Sequence, residues 1–284
     1  MKKFLFIPLS LSVLVVSAQS LNRKAVFTKG QQLERVAAIK MIIGMDMMGQ
    51  SIEINNTNTV TTLVEVKNAS AKDFALASTV KRVVTSMAGM GQEMSYDTDK
   101  KDASAPSELT KKADELVGKT NNLVVDGKGV IISSDDSTTK DSDKAAFMGM
   151  SGGLVNMGNK AGALYDLVAN LPAKAVKVGD TWVDSVVTKE GKTVSNYKVL
   201  EIKGDEALVG VDGTVAQSGQ VENQGMTIDL NMAGTAKGSY TLEVASGVIR
   251  KRLMEMNATG TMEVAGQSIP FTMKLNMDEG VTRK

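Results

Sequence analysis

The sequence predicts an α+β, β-dominated fold: a large curved antiparallel sheet, half-barrel-like, with two or three helices packed on its concave face. Three observations predict it. A glycine turn repeatedly launches a strand of period two, as in MMGQSIEI from Met47, MGQEMSY from Met90, GMTIDLNM from Gly225 and VAGQSIPFTM from Val264. From residue 176 onward, strand patterns follow one another almost without interruption. Two stretches, about 107–117 and 145–170, carry apolar residues at helical spacing instead.

Residues 1–20 follow the plan of a signal peptide. Lys2 and Lys3 form a positive start, residues 4–16 an apolar run, and Val16-Ser17-Ala18 a small-residue exit with cleavage expected after Ala18 or Ser20. The run is shorter than the ~20 residues of a spanning helix and is interrupted by Pro8, Ser10 and Ser12. Residues 21–284 are expected to form a single β-rich domain, since no Pro/Gly/Ser-rich linker divides them.

The segment 31–48 fits two templates. QLERVAAIKMII could be an amphipathic helix, yet Leu33, Ala37, Ile39, Met41, Ile43, Met45 and Met47 also share one face of a strand. Its direct run into Gly49 favours the strand. Residues 59–66, TVTTLVEV, are rich in β-branched side chains and form a strand that 74–87 should pair with. MGQEMSYD closes this first section, and 97–102 reads as an exposed charged loop.

Ser107 is placed as an N-cap and Gly118 as the C-terminal glycine of a helix whose Leu109, Ala113, Leu116 and Val117 face the core. Residues 122–125 and 130–133 flank a DGKG turn and read as a hairpin. A polar loop, 134–143, precedes the second helical stretch, with Phe147, Met148, Met150, Leu154, Val155, Met157, Leu164, Leu167 and Val168 apolar. Breaks around Gly152-Gly153 and Gly158 divide it into two short helices, and Gly152-Gly153 offers a hinge. Expected strands then cover 181–187, 193–202, 207–215, 227–232, 239–244, 248–256, 261–264 and 271–277. Turns are expected at Glu190-Gly191, Lys203-Gly204-Asp205, Gly234 and Ser246-Gly247.

Composition excludes several chemistries. There is no cysteine, hence no disulfide, thiolate metal site, cysteine nucleophile or lipoprotein acylation site, so an exported chain is expected to be released into the periplasm or medium. There is no histidine, so Ser-His-Asp catalysis and histidine-zinc sites are impossible. A net charge of +1 and 4% aromatic residues give no footing for nucleic acid. No later stretch is long and apolar enough for a membrane-spanning helix.

Methionine is over-used, at 18 residues, and it falls on one side of late strands. Met226, Ile228, Leu230 and Met232 alternate with Thr227, Asp229 and Asn231. Phe271, Met273, Leu275 and Met277 alternate with Thr272, Lys274 and Asn276. An ordinary core facing the helices explains this pattern. A cavity for a hydrophobic or lipid-like ligand explains it too, because unbranched thioether side chains adapt to varied apolar shapes. These eight residues are the candidate ligand-binding set.

Met45-x-Met47-Met48, Met148-x-Met150 and Met254-x-Met256 also suit copper(I), but they fit the same alternation as Ile and Leu and lack a supporting His or Cys. Asp135, Asp136, Asp141 and Asp143 cluster without the glycine and glutamate of a calcium loop, and read as solvated. Arg250-Lys251-Arg252 reads as an exposed edge or rim, and Trp182 as a core anchor at a strand entrance. No pair of carboxylates stands out for hydrolysis. The chain is therefore expected to be non-enzymatic, without cofactor or metal.

Lys29-Gly30, MMGQSIEI, MGQEMSYDTD, LVGKTNNLVVDGKGVI from Leu116 and LPAKAVKVGDTW from Leu171 together resemble an uncharacterised family of secreted and envelope proteins of Gram-negative bacteria, a domain of unknown function. The likeness covers most of the chain after residue 20 and consists of turns and strands, so it carries no catalytic residue. The architecture is also similar to the half-barrels of periplasmic lipoprotein carriers, in which helices cover a concave apolar face. This likeness is one of architecture alone; the ligand-binding expectation rests on the one-sided Met/Ile/Leu/Phe strands together with the glycine-hinged apolar cover. The alternative is a structural or protein-interaction module of the cell envelope that holds no ligand.

Overall fold

The structure, a computed structural model, describes residues 20–47, 49–89, 91–101, 107–135, 160–187, 191–223, 226–264 and 266–284. The expected signal peptide, Gly152-Gly153 and the aspartates from Asp136 to Asp143 lie outside the described residues.

Among the described residues, twelve strands form one antiparallel sheet: β1 Gln32–Met47, β2 Gln50–Ala69, β3 Asp73–Gly89, β4 Gln92–Asp97, β5 Thr120–Asp126, β6 Ile131–Ser134, β7 Thr181–Val187, β8 Gly191–Lys203, β9 Glu206–Asn223, β10 Met226–Glu243, β11 Ile249–Val264 and β12 Gln267–Arg283. Their order is β6-β5-β3-β2-β1-β12-β11-β10-β9-β8-β7, with β4 added against β3. Two consecutive meanders thus meet at the central β1–β12 pair. Residues 31–48 are a strand, because period two places Leu33, Ala37, Ile39 and Met41 on the buried face. The Gly-Gln units are hairpin turns at Gly49, Gly91 and Gly266, each with the positive φ that glycine supplies.

The expectation of two or three helices is corrected. Among the described residues there is one, α1 Ser107–Leu116, which packs Ala113 and Leu116 against Val80, Val83 and Tyr96 of β3 and β4. Gly118 follows at φ 83° and acts as its cap, as expected; the side chain of Leu109 lies outside the described residues. Residues 160–170, expected to be helical, instead run irregularly across the sheet, touching it through isolated bridges at Leu164 and Val168. Their Leu and Val residues meet two separate parts of the sheet, beside β6 and beside β11, instead of one helix face.

That segment reveals the curvature. Leu164 bridges to Val130 beside β6, and Val168 bridges to Val248 beside β11. In a flat sheet those strands would stand roughly 29 Å apart, six spacings of ~4.8 Å. Four residues span at most about 14 Å. The sheet must therefore roll, and Tyr165, Leu167 and Val168 pack with Leu33, Val64, Phe74, Leu123 and Val281 on the inside of the roll. Ala25 and Val26 close the same gap, donating to Gly127 O and Ser246 O at 2.9 Å each.

One expected turn, one expected strand break and one loop also change. Gly234 lies inside β10, which joins the two strands expected at 227–232 and 239–244; β11 likewise joins 248–256 to 261–264. A Cβ on Gly234 would stand 2.4 Å from Asn257 O, and one on Gly213 2.1 Å from Val194 O. These glycines permit a sharp bend with the methionine-bearing face inside. Asp97, expected to open an exposed loop, is buried beside Thr98. The Arg82 guanidinium donates through Nε and Nη2 at 3.0 and 2.7 Å and, against some desolvation, holds the Asp97 carboxyl down at about 2. This stabilisation is complete above the ordinary pKa of about 4 and is lost as pH falls through about 2. An NMR titration of Asp97 should give a midpoint of about 2, rising to about 4 in Arg82→Met. A wild-type midpoint already at ~4 would contradict the pairing.

Candidate functional site

Antiparallel register collects the one-sided apolar residues into rows. One row runs Met41–Leu275–Met256–Ala236 across β1, β12, β11 and β10; the next runs Ile39–Met277–Met254–Gly238. Each side chain stands beside its row neighbours on the same face. The result is a buried cluster of Ile39, Met41, Val215, Met232, Met256, Ala258, Phe271, Met273, Leu275 and Met277. All of its members, and the half-buried residues packed on it, belong to the sheet.

Of the eight candidates, Met232, Phe271, Met273, Leu275 and Met277 are in this cluster and Leu230 packs against it. Ile228 is half-buried one row nearer the hairpin tips. Met226 heads β10, but its side chain lies outside the described residues. The sequence reading missed the contributions of Val215 and Met256, whose alternation within 207–215 and 248–256 was the available signal, and of Ala258, which lay in the gap left between two expected strands. It missed Asn56 and Asn58 entirely, because INNTN reads as a break when β2 is started at residue 59.

These two asparagines interrupt the apolar face. Asn58 is opposite Ile39 and Thr85, and Asn56 is opposite Met41 and Met87. Asn56, Asn58 and Thr85 are only 4, 6 and 4% exposed. Asn58 Nδ2 donates to Asn56 Oδ1 at 2.8 Å.

Toward the opposite end from the hairpin tips, the face ends on a buried ion-pair network. Arg35 donates through Nε and Nη2 to Glu279 Oε2 at 2.9 and 2.5 Å, and through Nη1 to Asp166 Oδ2 at 2.5 Å. Glu279 is 0% exposed. Its Oε1 lies 3.5 Å from Arg252 Nη1, and Arg252 Nη2 donates to the backbone oxygen of Asp166. Burial alone would lower the pKa of Arg35, but Asp166 and Glu279 outweigh it and hold the guanidinium above its ordinary value. Burial, reinforced by the Asp166 carboxylate, pushes the Tyr165 phenol up. Four charges thus neutralise one another and tie residues 165–166 to β1, β11 and β12.

The network corrects the reading of Arg250-Lys251-Arg252 as an exposed rim. β11 lies between β10 and β12, so Arg252 is drawn to Glu279 and Asp166, and Arg250 to Glu243 at 2.9 Å. Trp182 is a partial anchor, stacked on Tyr197 with ring centroids 5.2 Å apart. Among the described residues no group of three or more His, Cys, Asp or Glu converges to hold a metal. Met254 and Met256 share the apolar face with aliphatic neighbours; Met48, Met148 and Met150 lie outside the described residues. No described helix is long and apolar enough to cross a membrane.

Surface depressions of about 610 and 720 Å³ are lined chiefly from the opposite, polar face. Thr259, Thr272 and Ser51 contribute to the first, and Lys40, Asp212, Lys237 and Glu255 to the second.

No curated protein sequence matches the chain. Among solved structures it is similar to lipovitellin, in a structure concerned with lipid–protein interactions, at 11% identity and TM-score 0.48, covering 90% of this chain and 26% of that one. It is also similar to an outer membrane channel of Pseudomonas putida F1, at 6% identity and TM-score 0.24, covering 91% of this chain and 98% of that one. Pseudomonas aeruginosa OpdQ gives 6% and 0.25, covering 89% and 99%. None of these scores reaches 0.5, so they do not bear on function. Residues 71–249, more than half of the chain, match the family of unknown function DUF6263, and the chain belongs to that family.

Proposed function

We propose that the protein is an exported, non-enzymatic binder of a hydrophobic or lipid-like ligand held on the methionine-rich face. One observation carries this reading. A contiguous apolar cluster on five adjacent strands is built by the sheet alone, with Met41, Met232, Met256, Met273 and Met277 as its adaptable members. Leu230 packs on it and the half-buried Ile228 continues the same face toward the hairpin tips. An acyl chain laid along the face would gain about 0.8 kcal/mol per methylene without directional chemistry. Export rests on Lys2, Lys3, the apolar residues 4–16 and the small-residue exit.

A second reading, an envelope interaction module with a solid interior, is favoured by the near-complete burial of Leu275 and Met256. One experiment separates them. Protein purified from its native source without detergent is expected to show lipid adducts in native mass spectrometry, to yield that lipid on solvent extraction, and then to bind diphenylhexatriene with enhanced fluorescence. No adduct, no extractable lipid and no probe binding would leave the interaction module as the answer.

A further inference from the structure

We infer that Asn56, Asn58 and Thr85 form a polar recognition spot within the apolar face, selecting an amphiphile whose head is uncharged but hydrogen-bonding, such as an alcohol, ester or amide. The inference rests on the ligand-binding reading and narrows its ligand class. Three polar side chains at adjoining register positions are more than nine-tenths buried, and their neighbours in the rows are Ile39, Met41, Met87 and Tyr96, whose hydroxyl is committed to Asp114. A core that needed only packing would carry Val or Leu there, since a buried amide without partners costs free energy.

The asparagines satisfy one another only once. After Asn58 Nδ2 has donated to Asn56 Oδ1, Asn56, Asn58 and Thr85 make no further side-chain hydrogen bond among the described residues, and none of their atoms is wholly enclosed without a partner in the way that Trp182 Nε1 and Glu279 Oε1 are. The three side chains supply both donors and an acceptor, in a place bordered by apolar chains. That is the complement of a neutral head carrying an oxygen or an N–H, with its tail lying along Met41, Leu275 and Met256.

A charged head fits poorly. The cations on this face, Arg35 and Arg252, are committed to Glu279 and Asp166. A carboxylate buried beside the asparagines would lose its hydration without gaining a counter-ion.

The test uses three pyrene-labelled chains of equal length: a dodecanol, a dodecane and a dodecanoate at pH 8, titrated by fluorescence into delipidated full-length protein. The wild type is expected to bind the alcohol about tenfold more tightly than the hydrocarbon, and the anion most weakly. In Asn56→Leu/Asn58→Leu the alcohol's advantage should vanish while the hydrocarbon still binds. Should that double variant fail to fold, Thr85→Val is expected to reduce the same ratio. Equal binding of alcohol and hydrocarbon by the wild type, a ratio unchanged in the variants, or strongest binding of the anion would each overturn the polar spot while leaving apolar binding intact. Failure of all three probes, the hydrocarbon included, would remove the ligand-binding reading and this inference together.

Discussion

Arg35→Met is expected to lower the free energy of unfolding by about 3–5 kcal/mol, measured as a shift of the urea midpoint at unchanged slope. The substitution keeps an unbranched chain of similar bulk, so packing is not the cause. It leaves Glu279, fully buried, without the guanidinium that meets its Oε2 twice, and Asp166 without its partner at Nη1. A buried ion pair is weak evidence for stability in itself, but removing one member exposes the full desolvation cost of the other. Arg35→Met/Glu279→Leu should therefore recover much of the loss. The amides of Val168 and Ala169, which donate to Tyr165 O and Gly247 O beside Asp166, should exchange faster in the single variant. An Arg35→Met protein as stable as the wild type would show that Glu279 is not buried against Arg35 as described.

Leu275→Ala should cost about 2–5 kcal/mol by the same measurement. Leu275 sits between Met41 and Met256 at the centre of the apolar cluster and is 2% exposed, so truncation removes buried methyl groups and leaves a hole. Leu253, on the opposite face of β11 and 41% exposed, provides the control, and Leu253→Ala should stay within about 0.5 kcal/mol of the wild type. Comparable small losses at both positions would mean that the methionine face is not a packed interior.

The strand content was legible because alternation needs only local sequence. The segment 31–48 shows how far that reaches: helix and strand templates both fitted, and the run into Gly49 decided correctly. Gly234 shows the limit. Glycine between two apolar-alternating runs looks like a turn, yet here it removes a Cβ from the inside of a bend, and that need arises from Asn257 on the neighbouring strand. Residues 160–170 failed for a related reason. Their Leu and Val spacing imitates a helix, but Leu164 and Leu167 meet different parts of a rolled sheet, and sheet closure leaves no periodic trace.

The candidate site was half legible. The apolar faces of 228–232 and 271–277 were legible because their apolar residues alternate with Asp, Asn, Thr and Lys, although 227–232 was read as a strand separate from 239–244. Asn56 and Asn58 were invisible because polarity in a strand signals a solvent face until the register shows what stands opposite. The basic run at 250–252 misled in the converse way, since alternation cannot tell an exposed cation from one that meets a carboxylate across the sheet.

The pairing of β1 with β12 also governs how the molecule must assemble. Leu33 faces Arg283, and Lys284 donates to Gln32, so the strands farthest apart in sequence lie at the middle of the sheet. Each meander can form from local hairpins, but the contacts between them close a loop of nearly the whole chain, which is the slowest kind of contact to reach. Until it closes, two long apolar edges stand unpaired.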